Sequence, residues 1–329
     1  MQIVDARQAV RNRQSNRPFS IWSTPSDDLS LNHEICEPDN AGARVYTDFC
    51  KIKISPSFRF DKSMGIFSSG SCFAREIELA LYERNMRVLS WSPDTGLPNE
   101  AFHRYNTQTI LSEFNYALNE NYDEENVQRV GGGWADFTGY ATIFPTREEA
   151  LKQRLAVIAQ HRRALEADLV VLTLGLVEAW YDKRTNRYMN SAPYPLFHSR
   201  RDDLELRITD YAENMSALKE FEQALHQHNP AAKILVTVSP VPFSDTFSGE
   251  DAVIANTYSK SVLRAVAHDW ARSSERVDYF PSYEMVTLSS PASAWLADHR
   301  HVKRLHVEKI VQTFLDSYVG ADETVESLA

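Results

Sequence analysis

The stretch Ser68-Ser69-Gly70-Ser71-Cys72-Phe73-Ala74 decides the fold of this chain. The preceding residues 64–67 are apolar, short and suited to a buried strand, whereas residues 75–82 carry apolar side chains at helical spacing. This order predicts a strand, a tight turn and a helix. The turn therefore lies at the carboxyl end of a strand, which is the edge where open α/β sheets bind ligands.

Ser71 is the first candidate nucleophile, because a hydroxyl in this turn lies beside the N–H groups at the start of the helix. A second interpretation is that Ser69 or Ser71 only caps the helix, a role that serine fills well. The neighbouring thiol of Cys72 is an alternative nucleophile. Adjacent side chains leave a turn in different directions, so we expect Cys72 to pack in the core instead.

The composition is that of a globular protein: 329 residues, 43% of them apolar and 24% charged. The net charge of −10 argues against a nucleic-acid partner, which requires a basic surface. The three cysteines are widely spaced, which indicates a reducing compartment without disulfides. The N-terminus is too polar for a signal peptide, and no stretch is apolar enough to cross a bilayer. We expect a cytoplasmic protein without a membrane partner. The oligomeric state is not predicted.

The chain divides into an irregular arm, residues 1–62, and one domain, residues 63–329. We expect the arm to pack on the main body through its aromatic side chains. Further strands are predicted at residues 86–90, 168–174, 233–238 and 277–280, and helices between them. One of these helices begins at Thr146, whose spacing to Glu149 is typical of a capping box.

Strands that alternate with helices in this way predict a parallel sheet with helices on both faces. The expected fold is a three-layer, flavodoxin-like α/β sandwich with a mostly parallel five-stranded sheet. Between its elements we predict a turn at residues 92–99, a flexible glycine loop at residues 130–134 and an irregular insertion at residues 182–203. The glycine loop lacks the Gly-Lys-Ser/Thr ending of a phosphate-binding loop.

Asp298 and His301 are the candidate partners for a nucleophile, because they lie three residues apart in a loop just before the last helix. A carboxylate can hold a histidine in the tautomer that accepts a hydroxyl proton. The same spacing is also common in exposed turns. No His-Glu-x-x-His motif is present, so no metal site is predicted.

Several of these segments resemble those of a known protein family. The segment Gly70-Ser71-Cys72-Phe73-Ala74 is the signature that gives the GSCFA family its name, and this family resembles the SGNH, or GDSL-like, hydrolases. Further family-like blocks follow in order at residues 102–107, 173–180, 237–242, 255–260 and 298–301. The resemblance covers about residues 63–314.

The resemblance implies a flavodoxin-like sandwich with Ser71 as nucleophile, His301 as general base and acid, and Asp298 as its orienting carboxylate. SGNH enzymes usually stabilise the oxyanion with the serine N–H, a glycine N–H and an asparagine from a Gly-x-Asn block. Here Gly175 is followed by Leu-Val-Glu, so the asparagine is missing. Asn106 is a substitute donor.

The sequence also predicts roles for three further side chains. Glu178, which follows the place of the missing asparagine, either binds a polar substrate or caps a neighbouring element. Trp180 is a candidate substrate-stacking residue, together with Trp134, Tyr181 and Tyr194. Lys260 could reach an anionic donor, but we expect a surface lysine whose stem lies along apolar neighbours.

The function predicted from these observations is acyl transfer through Ser71, either to water or to another hydroxyl. The substrate would be a small-molecule or carbohydrate ester, such as an O-acylated polysaccharide. No cofactor is predicted, except an acyl-CoA donor if the protein is a transferase, for which residues 198–201 and 300–304 offer positive charge. The alternative function is a non-catalytic module that binds a carbohydrate or another ligand and has lost its oxyanion hole.

Overall fold

The structure is a computed structural model that describes residues 4–16, 19–20, 22, 39–91 and 97–319. Its strands are β1 (Ile66–Gly70), β2 (Val127–Val130), β3 (Gly133–Asp136), β4 (Leu169–Leu174), β5 (Glu178–Asp182), β6 (Arg187–Met189), β7 (Leu204–Ile208), β8 (Lys233–Val238) and β9 (Val277–Tyr279). Its helices are α1 (Ala6–Ser15), α2 (Ala41–Arg44), α3 (Cys72–Tyr82), α4 (Thr107–Asn119), α5 (Arg147–Arg162), α6 (Phe197–Arg200), α7 (Tyr211–His228), α8 (Ala252–Ser273), α9 (Ser282–Thr287), α10 (Pro291–Ala294) and α11 (Arg304–Tyr318).

The central sheet is parallel, in the strand order β1-β4-β8-β9. It has four strands rather than the predicted five, because residues 86–90 contribute only an isolated bridge between Val88 and Ile66. The Ser90 hydroxyl accepts the next ladder hydrogen bond, from Ser68 N, at 2.9 Å. A side chain thus occupies the place of a backbone carbonyl, and the pairing ends there.

Helices cover both faces of this sheet, as predicted. One apolar cluster packs the sheet against α4, α7 and α8 through side chains such as Phe114, Phe221 and Trp270. The other packs it against α3 and α11 through Phe73 and Phe314. The predicted α/β sandwich is therefore confirmed. No described helix combines the length and the apolarity that crossing a bilayer requires.

Two antiparallel sheets extend from the sandwich, and both were missed. The predicted flexible loop at residues 130–134 is the turn of the β2–β3 hairpin, in which Gly131 has a φ of +53°. The predicted irregular insertion at residues 182–203 contains β6 and short helices, and β6 pairs with β5 in a sheet of order β6-β5-β7. Their strands are short, and their side chains are only in part buried.

Residues 39–62 contact the sandwich through aromatic rings. Phe60 lies 5.5 Å from Phe314, and Phe58 lies 5.6 Å from Tyr318, measured between ring centroids. Helix α1 has no buried residue. Most of residues 17–38, the tail after residue 319 and part of the predicted turn at residues 92–99 lie outside the described residues. The domain boundary at residue 62 stays a prediction.

A buried cluster of charges joins the hairpin to the helices. Glu113 of α4 accepts hydrogen bonds from Arg104 at 2.5 Å and from Arg154 of α5 at 2.7 Å. Arg154 also pairs with Asp136 of β3 at 2.6 Å. Burial alone would raise the pKa of Glu113, but the two guanidinium groups hold it well below its usual range. The carboxylate is therefore charged and connects three elements.

The substitution Glu113→Gln should destabilise the protein by about 3–5 kcal/mol, because it removes the counter-charge of the buried Arg104 and leaves Arg154 with Asp136 alone. Urea unfolding followed by circular dichroism measures this loss. The matched control is Glu124→Gln, which removes an exposed ion pair with Arg147 and should change the free energy of unfolding by less than about 1 kcal/mol. Equal effects of the two substitutions would contradict the prediction.

Candidate active site

The turn at the end of β1 is fixed by a close backbone approach. Gly70 has a φ of +150°, and a Cβ atom there would lie only 2.3 Å from the carbonyl oxygen of Thr173 in β4. Only glycine fits this position. The next residue, Ser71, therefore leaves the strand end at a set position and precedes the first turn of α3.

The Ser71 hydroxyl is buried and has no partner. The residue occupies the N-cap position of α3 with extended backbone, but its side chain makes no capping hydrogen bond. It is only 4% exposed, and its Oγ contacts no donor or acceptor among the described residues. The capping role that the sequence left open is thus not performed by the side chain of Ser71.

Two other hydroxyls at the same edge of the sheet are also buried without a partner. They belong to Thr173 at the end of β4 and Ser239 just after β8. A buried polar group that lacks a hydrogen bond costs about 1–3 kcal/mol. Two of the three, Ser71 and Ser239, also line the cavity described below, which indicates a site that a ligand completes.

Asp298 and His301 form a hydrogen-bonded pair in the turn before α11. The Oδ2 atom of Asp298 lies 2.6 Å from Nδ1 of His301, and its Oδ1 accepts the backbone N–H groups of Arg300 and His301 at 3.0 Å. These bonds, first of all the one from the imidazole, hold the pKa of Asp298 well below its usual range. His299 has a left-handed backbone with a φ of +51°, which tightens the turn so that the Asp298 carboxylate reaches both the backbone N–H and the ring of His301.

A cavity of about 510 Å³ lies at the carboxyl edge of the sheet. Ser71, Tyr105, Gly175, Ser239 and Arg300 belong to its walls. Arg300 donates from Nε to the Pro242 carbonyl at 3.2 Å.

Asp298 and His301 are not among the described residues that line this cavity, and each side chain is 47% exposed. The structure therefore brings Asp298 together with His301. It does not form a hydrogen bond between Ser71 and His301.

Cys72 also lines the cavity, so the expectation that only one of the two adjacent side chains faces it was wrong. The thiol packs at the same time against the apolar cluster under α3. Burial raises the pKa of Cys72, and the opposing effect of the Arg300 guanidinium is smaller. The group is therefore a neutral thiol at physiological pH, which is a weak nucleophile.

Gly175 lies where a side chain could not. A Cβ atom on it would lie 2.5 Å from the carbonyl oxygen of Tyr105, which accepts the N–H of Leu176 at 2.8 Å. The N–H of Gly175 itself donates to no described residue.

Asn106, the predicted substitute donor, does not line the cavity. Its Oδ1 caps α4 by accepting Thr109 N at 2.9 Å. Asn190 lies in the cavity wall instead, where its Oδ1 accepts Tyr105 N at 2.9 Å. Sequence reasoning missed Asn190, because it lies in a segment without periodicity.

Glu178 caps a neighbouring loop, one of its two expected roles, and it also lines the cavity. Its carboxylate accepts the Thr246 hydroxyl and the N–H of Phe247, the latter at 3.1 Å. This holds Phe247 against Trp180, with 5.3 Å between ring centroids.

The aromatic wall of the cavity consists of Trp180, Tyr194 and Phe247. Two of the four aromatic residues predicted for this role are thus in place. Trp134 and Tyr181 do not line the described cavity, and Tyr181 lies under the Arg207 guanidinium instead.

Lys260 is not the predicted surface lysine. The side chain is 1% exposed, and its Nζ donates to the carbonyls of Gly175 at 2.6 Å and Val241 at 2.8 Å. Both carbonyls belong to residues of the cavity wall.

The two predicted basic segments have carboxylate partners. Arg200 pairs with Asp182 at 2.7 Å, and Arg304 pairs with Glu83. Among the described residues, no group of three or more His, Cys, Asp or Glu side chains is placed to hold a metal ion.

The model of the GSCFA family matches residues 65–314. The chain belongs to the GSCFA family. This match covers the turn at Ser71, the residues that line the cavity and the Asp298–His301 pair. None of the curated proteins matches this GSCFA chain in sequence.

Solved structures with some similarity to this GSCFA chain include a mutant acetyl esterase with an acetate ion, 11% identical, covering 77% of this chain and 93% of that one at a TM-score of 0.31. A catalytic mutant of an acetylxylan esterase from Geobacillus stearothermophilus is 11% identical. The similarity covers 79% of this chain and 96% of that one, at a TM-score of 0.31. A family two carbohydrate esterase from Clostridium thermocellum is 14% identical, with 81% and 66% covered and a TM-score of 0.31.

The substitution Gly175→Ala should destabilise the protein by about 1–3 kcal/mol, because the added methyl group clashes with the backbone of Tyr105. The control is Gly132→Ala in the β2–β3 turn, where a Cβ atom meets nothing within 4 Å. Thermal unfolding of both variants measures the difference. A Gly175→Ala variant as stable as the control would show that the strand end moves freely.

Proposed function

We propose that this GSCFA protein is a serine-dependent acyl-ester hydrolase or acyltransferase that acts on an O-acylated carbohydrate. The observation that carries the proposal is the Ser71 hydroxyl, which is buried and unpartnered in a residue that lines an aromatic-walled cavity. It lies at the start of α3, where backbone N–H groups favour developing negative charge.

In this mechanism Ser71 Oγ attacks the acyl carbonyl, and His301 accepts the hydroxyl proton. Asp298 binds Nδ1 of His301, which leaves Nε2 to act as the base. The alcohol leaves with that proton, and an acyl group remains on Ser71. Water or an acceptor hydroxyl then attacks the acyl-enzyme and loses its proton to His301. The bond between the acyl group and Ser71 Oγ breaks, and His301 returns the proton to Ser71 Oγ.

The hydrogen bond from Ser71 to His301 has to form when the substrate binds. Catalytic hydrogen bonds commonly tighten only in the complex with substrate. The turn at residues 298–301 can carry this movement, since the side chains of Asp298 and His301 are each 47% exposed. Displacement of the Arg300 side chain by the substrate would bring the imidazole toward Ser71.

The negative charge of the tetrahedral intermediate needs donors at the nucleophile turn. The first backbone N–H groups of α3 and the N–H of Gly175 are the donors that remain when the Gly-x-Asn asparagine is missing. Val177 stands at the place of that asparagine and is buried in the core, so it supplies no polar group.

The carbohydrate part of the proposal rests on the cavity walls. Trp180, Tyr194 and Phe247 form an aromatic surface next to Ser71, and rings of this kind stack against the faces of sugars. A volume of about 510 Å³ holds far more than an acetyl group. We therefore assign the larger part of the cavity to the alcohol or the acyl donor rather than to the acyl group alone.

Ser71→Ala should lower kcat for a phenyl acetate ester and for acetylated xylo-oligosaccharides by about a thousandfold or more, because it removes the group that carries the acyl intermediate. A fluorophosphonate should label the wild type once, at Ser71, and should not label the variant. Mass spectrometry of tryptic peptides identifies the modified residue.

The control for that experiment is Cys72→Ala, which should keep activity within about tenfold, since its neutral thiol is not the nucleophile. Loss of activity in Cys72→Ala with retention in Ser71→Ala would reverse the assignment. Absence of both turnover and labelling in the wild type would favour the non-catalytic binding module. Turnover that needs acyl-CoA would identify a transferase.

Trp180→Ala should raise KM for acetylated xylo-oligosaccharides by about tenfold, the loss expected for one aromatic stacking contact. The kcat/KM for a small phenyl ester should change much less, because that substrate does not span the aromatic wall. Trp134→Ala, in the β2–β3 hairpin and away from the cavity, is the matched control. Parallel loss on both substrates would contradict a role in sugar binding.

A further inference from the structure

Lys260 is a buried cation without a counter-charge. Its ammonium donates only to main-chain carbonyls, those of Gly175 and Val241, and no described carboxylate pairs with it. Burying a charge that lacks an opposite partner is costly, and replacement by an apolar side chain is often neutral or stabilising. Stability alone therefore does not explain a lysine at this position.

The two carbonyls that Lys260 binds belong to segments that follow two different strands of the sheet. Gly175 follows β4 and Val241 follows β8, and both residues belong to the cavity wall that contains Ser71. The lysine comes from the middle of α8, which packs over these strands. One ammonium thus holds two strand ends at the edge of the cavity.

The hydrogen bond to Gly175 continues into the cavity wall. The ammonium binds the carbonyl of the Gly175–Leu176 peptide at 2.6 Å, and the N–H of the same peptide donates to Tyr105 at 2.8 Å. Such a chain polarises each member and strengthens the next bond. The Leu174 carbonyl is also fixed, by Ser239 N at 2.8 Å. The carbonyls of Leu174 and Gly175 are thus both held, whereas the N–H of Gly175 donates to none of the residues that the structure describes.

We propose that Lys260 is a positioning residue for the reaction at Ser71, which orients the Gly175 N–H toward the oxyanion and supplies positive charge near it. This inference rests on the proposed function. The charge partly replaces the electrostatic contribution of the asparagine in the Gly-x-Asn block, which this chain lacks. Lys260 acts through Gly175 and contacts no reacting atom.

The charge of Lys260 should change with pH, which gives the proposal an experimental test. Burial lowers the pKa of Lys260 to about 7, so the ammonium is charged below that pH and neutral above it. The titratable group that faces it from α3 is Cys72, whose raised pKa keeps it neutral. On α8 and α9, Arg264 and Glu284 pair with each other at 2.5 Å, and Tyr283 lies nearby.

The test measures the rate constant for fluorophosphonate labelling of Ser71 between pH 5.5 and 9. This reaction develops negative charge on an oxygen beside Ser71 and needs no known substrate. In the wild type the rate should rise as the base loses its proton and then fall severalfold above about pH 7. Lys260→Met should label about tenfold more slowly at pH 6.5 and show no such fall. Lys260→Arg, which stays charged, should retain the rate without the fall.

Lys219→Met on the exposed face of α7 is the matched control and should reproduce the wild-type profile. Equal rates and equal pH profiles of the wild type and Lys260→Met would overturn the inference while leaving the proposed function intact. A wild type that does not label at Ser71 would overturn both. If Lys260→Met does not fold by circular dichroism, Lys260→Gln is measured in its place, and a labelling rate equal to that of the wild type at pH 6.5 overturns the proposal.

Discussion

The close parallel pairing of β1 with β4 is the constraint on which the site depends. Gly70 lies against the Thr173 carbonyl so tightly that no side chain fits, and its own carbonyl accepts Arg104 N at 2.7 Å. Main-chain contacts on both sides therefore set where Ser71 leaves the strand. The buried charges around Glu113 hold Arg104 in place, which links the turn at Ser71 to the outer hairpin.

The sandwich was predictable because its strands are long, apolar and buried on both faces. Residues 169–174 and 233–238 show this in the sequence, and the capping box at Thr146 and Glu149 marks the start of α5 as expected. The outer strands were not predictable, since they are short and alternate with turns. The strand expected at residues 86–90 failed for a local reason, the Ser90 hydroxyl that replaces a carbonyl in the ladder.

The site was predictable where it depends on neighbours in sequence. Asp298 and His301 are three residues apart, and their hydrogen bond needs only one tight turn. Lys260 was mispredicted because its surroundings come from residues 85 and 19 positions away, and no local pattern distinguishes a lysine that binds carbonyls from one at the surface. Asn190 was missed in the same way, since its partner Tyr105 is 85 residues distant.

The half-exposed position of the His301 side chain has a consequence for proton transfer. An imidazole in contact with bulk water exchanges its proton directly with solvent and needs no internal relay of side chains. In the proposed mechanism, the acyl group would therefore be held in the cavity, while the imidazole that accepts the Ser71 proton would stand in contact with solvent.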